Sequence, residues 1–194
     1  MKRFWILLGG YAAIAAITVP AFVRPAPRLV WNASASVPIG LYAAHPVKSL
    51  SRGDLVAAHA PVPVAKLMAE RGYLPVRVPM LKQLAALVGQ EICRSGTHVL
   101  IDRKLVAEAR AFDRAGRALP AWQGCHRLAD DEVFLLNPAV PDSFDGRYFG
   151  PIKRHAIVAI LTPLWTHGAV PEPAPGGAAR GQSLPEAKTK GAMQ

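Results

Sequence analysis

Between Arg3 and Arg24 run 20 consecutive uncharged residues, FWILLGGYAAIAAITVPAFV. As a helix rising about 1.5 Å per residue, the run reaches about 30 Å, the depth of a bilayer's hydrocarbon core. Lys2 and Arg3 resist translocation and would keep the short N-terminal side in the cytoplasm, so that residues 25 onward emerge on the far side. A cleaved signal peptide is the competing reading of residues 1–24, since Gly9, Gly10 and Pro20 soften the run, although Val23-Arg24-Pro25 is a poor small-x-small cleavage site. Both readings export the rest of the chain.

Export changes what the remaining composition means. The formal charge is +10, from 23 basic against 13 acidic residues, which excludes an acidic nucleic-acid mimic. That charge is spread out: +3 in residues 1–24, +6 in 25–167 and +1 in 168–194. No helix or stripe concentrates it as a nucleic-acid binder would, so no nucleic acid is expected as a partner, and the basic surface suits an anionic membrane or an acidic partner. Cys93 and Cys125 are the only cysteines, and no CxxC pair builds a zinc site. In an oxidising compartment they would tend to pair, closing a loop of about 31 residues worth about 3 kcal/mol in the chain-entropy picture; in a reducing one they are two buried thiols.

Beyond the span, short apolar β-branched runs recur at 41–44, 54–58, 90–93, 98–101, 132–136 and 156–161, separated by turn chemistry. The pattern predicts a mainly β domain over 25–167. Asp113-Arg114-Ala115-Gly116-Arg117 reads as a hairpin tip, with Gly116 free to take positive φ. Helical periodicity is confined to 64–71, with Gly72 as a C-terminal cap. From 168 to 194, 15 of 27 residues are Ala, Gly or Pro, too few large apolar groups to bury a core, and a disordered tail is expected there.

The usual catalytic signatures (GxSxG, HExxH, GxxxxGK(S/T), GxGxxG) do not occur, and the six histidines form no i, i+4 pair, so neither a metal nor a cofactor is expected. A serine can instead be activated by a lysine whose ammonium is stripped of water and pulled toward neutrality. Lys82 suits that role, as the one charge in Val78–Val88, although a lysine snorkelling from a half-buried strand would look the same. The serines of Trp31-Asn32-Ala33-Ser34-Ala35-Ser36-Val37-Pro38 follow closely on the apolar run, where a nucleophile would work at the membrane face and an ordinary turn into the first strand would also fit.

Four blocks in this order behind one membrane span, NASASVPIGLY, SRGDLV, VPMLKQLAALVGQEIC and SFDGRYFGPI, resemble the type I signal peptidase family, and within it the conjugal-transfer, TraF-type branch that matures plasmid pilin precursors. The resemblance runs over about residues 5–161. It implies an antiparallel β-sheet or barrel domain behind one transmembrane helix, single-pass in the inner membrane, with the catalytic domain in the periplasm. It assigns the nucleophile to Ser36, in a Ser-x-Pro-x-Gly-Leu-Tyr pattern, and the general base to Lys82. The oxyanion would be held by the Ser36 amide and the Ser34 hydroxyl; Ser143 would orient the lysine amine, and Asp145 with Arg147 would form a structural ion pair. Arg52-Gly53-Asp54 is then a scaffold turn. Two departures from the family stand out: Gly89-Gln90 where many relatives have Gly-Asp, and Gly146 where Asp145 is usually followed by Ser. The implied activity is a serine endopeptidase without cofactor, acting by acyl transfer on an exported precursor, pilin-like with small residues before the cut, and ending in hydrolysis or cyclisation. A general signal peptidase and a non-catalytic scaffold of a conjugation or secretion apparatus are the rival readings.

Overall fold

The computed structural model describes residues 2–22 and 28–168. The tail expected over 168–194 therefore lies, apart from Gly168, outside the described residues. α1 (Lys2–Phe22) takes up the N-terminal apolar run and leaves Phe4, Trp5, Ile6 and Leu7 exposed. Among the described residues no helix is long and apolar enough to cross a membrane; the side chains at 2, 17 and 19–22 lie outside the description. The transmembrane helix expected there is thus not reproduced, and it returns below only as a proposal.

The rest is antiparallel β structure with two short helices. In chain order come β1 (Leu29–Asn32), β2 (Ile39–His45), β3 (Leu55–Ala58), α2 (Val62–Glu70), β4 (Met80–Ala86), β5 (Glu91–Ser95), β6 (His98–Ile101), β7 (Lys104–Glu108), β8 (Gly124–Arg127), β9 (Glu132–Leu136), α3 (Gly146–Phe149), β10 (Ile152–Lys153) and β11 (Ile157–His167). Seven strands form one sheet in the order β1-β2-β11-β3-β4-β9-β10, and four form a second in the order β7-β6-β5-β8. All six apolar runs of the sequence lie wholly or largely within strands. α2 starts at Val62, two residues before the periodicity does, because Pro63 fits a first helical turn whose N–H groups have no partner anyway. Gly72 follows it at φ 71°. The hairpin tip forms as read: Asp113 N–H donates to Arg117 O, and Gly116 sits at φ 75°.

β9 shows why period-two reasoning works here. Val133 and Leu135 face one core with Val56 and Leu84, while Phe134 and Leu136 face another with Ile92 and Val99, which joins the two sheets. Buried on both faces, the strand reads as an unbroken apolar run. β4 is its neighbour and is buried almost throughout, which puts Lys82 in the middle of the larger sheet, opposite Val56 of β3. Cys93 and Cys125 stand directly opposite each other on β5 and β8 and are joined, Sγ to Sγ at 2.07 Å.

Candidate active site

The serine segment leaves β1 and enters β2 through a tight turn built on one side chain. Asn32 is buried, and its amide donates to the carbonyls of Ser34 (2.8 Å), Val37 (3.0 Å) and Pro38 (3.0 Å). Its Oδ1 accepts from the Ser34 amide (3.1 Å) and the Ser34 hydroxyl (2.9 Å). Tyr42 O–H closes the far side by donating to Pro38 O at 2.6 Å. Gly40 is required next to it: a Cβ there would stand 2.1 Å from Trp165 O on β11. The result is a rigid turn with the Ser34 and Ser36 hydroxyl oxygens 3.2 Å apart.

Lys82 reaches the site from β4 and is only 3% exposed. Its ammonium donates to Ser143 Oγ at 2.7 Å. Burial pulls its pKa down to about 8; the Asp145 carboxylate opposes the shift and the Arg147 guanidinium adds to it. Ser36 and Lys82 are not hydrogen-bonded to each other. A missing contact of this kind is common before substrate tightens a site.

Ser143, Asp145 and Arg147 come from the segment joining β9 to α3. Asp145 and Arg147 are fully buried and make an ion pair through Nε (2.9 Å) and Nη2 (2.9 Å). The remaining polar atoms of the pair are also partnered: Asp145 accepts from the amides of Asn137 (3.0 Å) and Arg147 (3.2 Å), and Arg147 donates to the carbonyls of Asn137, Val140 and Pro141. The pair therefore cross-links the loop that carries Ser143. Gly146 has its reason here. A Cβ at that position would lie 2.6 Å from both Leu135 O and the Phe134 ring, so the serine that the family resemblance would put there has no room. Buried Arg94 on β5 of the smaller sheet donates to Arg147 O, and Trp122, in the segment leading into β8, donates from Nε1 to Gly146 O at 2.9 Å, bracing α3.

Two clefts flank the serine turn. One of about 240 Å³ is lined largely by apolar groups, among them Val37, Pro38, Leu55 and Leu161. The other, about 340 Å³, lies between Ala35, Ile39, Val140 and His167. An extended chain running past Ser36 would have somewhere to seat side chains on either side of it.

A family model described as signal peptidase, peptidase S26, matches residues 1–165. The chain belongs to that family. Two plasmid transfer proteins TraF of Escherichia coli are 33% and 31% identical to it, over 81% and 86% of this chain and 86% and 99% of their own lengths. A crystal structure of a signal peptidase I from Enterococcus faecalis V583 overlaps 59% of this chain and 98% of that one, with 20% identity and a TM-score of 0.35. Membership in a peptidase family implies a protein substrate, and the buried polar groups are read in that light.

The six residues singled out in the sequence fall into two constellations, Ser34 with Ser36 and Lys82 with Ser143, Asp145 and Arg147. What sequence reasoning missed is the pair of buried asparagines. Asn32 organises the serine turn, and Asn137 connects it to the lysine strand, donating to Ser36 O at 2.6 Å and Leu81 O at 3.3 Å. The available signals were slight: an Asn directly before the serines, and an Asn-Pro step ending an apolar run. One consequence touches the oxyanion role expected of Ser34. Its single hydroxyl hydrogen points at Asn32, so it must turn away from Asn32 to serve a substrate oxygen.

Proposed function

We propose that this chain is a serine endopeptidase using Ser36 and Lys82, anchored by α1 as a single pass in the inner membrane with its β domain in the periplasm. The observation that carries the reading is the Lys82 amine, dry, held by Ser143 and with a pKa drawn to about 8, on a strand that Asn137 ties to the serine turn. A purely structural lysine on a central strand would be expected to hydrogen-bond a carboxylate; this one donates to the Ser143 hydroxyl.

In the proposed reaction neutral Lys82 removes the Ser36 hydroxyl proton as Oγ attacks the scissile carbonyl, and the negative oxygen is met by the Ser36 N–H and the Ser34 hydroxyl. Lys82 then returns the proton to the leaving amine, and an acyl-enzyme remains. Water releases the product as an acid; an amine of the same substrate would release it as a ring. The relatives' name as plasmid transfer proteins supports a role in conjugation, and the substrate proposed within that role is an exported, pilin-like precursor with small residues before the cut.

The test is processing of a pilin precursor by purified protein in detergent, followed by mass spectrometry. Ser36→Ala and Lys82→Ala should each stay folded and cleave nothing. Full cleavage by either variant would sink the enzyme reading, and equal cleavage of ordinary secretory preproteins would replace the dedicated role with a general one. A product lighter than the acid by one water indicates cyclisation.

A further inference from the structure

Asn137 is hydrogen-bonded to all three segments of the site. β9 ends at Leu136, so the edge of β4 beyond Gln83 loses its backbone partner at the level of Lys82. The Asn137 side chain takes over that edge as a single peptide unit would: Oδ1 accepts from Gln83 N–H at 2.9 Å, and Nδ2 donates to Leu81 O at 3.3 Å, one residue to either side of Lys82. The same Nδ2 donates to Ser36 O at 2.6 Å. Both amide hydrogens and the oxygen are thereby used, in a residue only 3% exposed. Its main chain is fixed by the ion pair, Asp145 accepting from its N–H (3.0 Å) and Arg147 donating to its carbonyl (2.9 Å).

We propose that Asn137 is a positioning residue that sets the approach of the Ser36 hydroxyl to the Lys82 amine. The inference rests on the Ser36/Lys82 reading. Since the two groups are not bonded to each other, their separation is set through their backbones, and the Asn137 amide joins these directly by donating to Ser36 O and Leu81 O. Backbone placement of this kind matters steeply, because a reacting group displaced by about 1 Å loses about a hundredfold in rate. The clamp also ties the serine turn to the strand of Lys82, preserving the burial that keeps water from its amine.

The experiment compares wild type, Asn137→Asp and Asn137→Ala in full-chain form on a precursor peptide, recording kcat, KM and the pH dependence of kcat/KM. Asn137→Asp is nearly isosteric and still accepts from Gln83 N–H, but it donates to neither Ser36 O nor Leu81 O. Both variants should lose about ten- to a hundredfold in kcat with KM unchanged within about twofold. The rise of kcat/KM should move to higher pH in both, as water reaches Lys82, and further in Asn137→Asp, whose carboxylate favours the ammonium. Mere structural damage would scale the amount of active protein without moving the pH profile. Should Asn137→Ala not fold, Asn137→Ser, which keeps a hydroxyl for Gln83 N–H, takes its place. Wild-type kcat and pH profile in folded variants, with Ser36→Ala and Lys82→Ala inactive, would overturn the positioning role and leave the dyad standing. Activity in Ser36→Ala or Lys82→Ala would remove the dyad and the inference together.

Discussion

Lys82 carries opposite consequences for catalysis and for stability, and both can be measured. With its folded pKa near 8, the neutral base is a minority below that pH, so cleavage should rise with pH through about 8. A profile flat from pH 6 to 9 would contradict a lysine base. For stability the sign reverses the usual lysine case. Below about 8 both folded and unfolded states hold the proton, and the folded state bears the full penalty of a buried ammonium. Between about 8 and 10.5 the unfolded chain binds more protons, so the penalty fades as pH rises. A shift from 10.5 to about 8 corresponds to about 3 kcal/mol at neutral pH. Lys82→Met should therefore be more stable than wild type at pH 7 by denaturant melting, with the gap narrowing by pH 10. A gap independent of pH would show that Lys82 titrates as an ordinary solvated amine.

At the level of elements, the loop from β9 to α3 is held both by packing of Phe144 against Tyr73, Tyr148 and Phe149 and by a buried ion pair. Every polar atom of the Asp145–Arg147 pair has a partner, which is the condition under which a buried ion pair can be tolerated. Removing one member leaves the other charged and dry. Asp145→Asn should thus cost about 3–5 kcal/mol in unfolding free energy, read from denaturant midpoints. It should also depress activity more than its stability loss explains, because Ser143 rides on the same loop. A loss under 1 kcal/mol would mean that the backbone holds the loop without the pair. Part of this element was open to sequence reading: the resemblance to the peptidase family implied the pair, and the apolar run of β9 pointed to the strand before it. The reason for Gly146 was not, since it depends on Phe134 and Leu135 folding back over that position.

For the whole molecule, the smaller sheet acts as a brace. The Cys93–Cys125 link ties β5 to β8, and Arg94 and Trp122 carry that rigidity to the backbone of α3. With the cysteines 32 residues apart, the link should contribute about 3 kcal/mol through the unfolded chain, so reduction should lower the unfolding midpoint while leaving the larger sheet's fold intact. Thiol trapping in intact cells tests the proposed topology at the same time. Protected cysteines accord with an oxidising periplasm, and free thiols would put the domain in the cytoplasm and reverse its orientation.

Local chemistry alone accounts for the β character, the strand runs and the hairpin tip, through side-chain alternation and turn glycines, whereas the site residues were named by the resemblance to the peptidase family, with Lys82 marked besides as the one charge in its apolar run. Only the tertiary structure decided that Lys82 is dry and faces Ser143, that Gly146 has no room for a side chain, and that Asn32 and Asn137 hold the site together. Those facts depend on contacts between segments up to 101 residues apart. An asparagine's amide looks the same in sequence whether it faces water or spans two strands, and only folding determines which backbone groups need it.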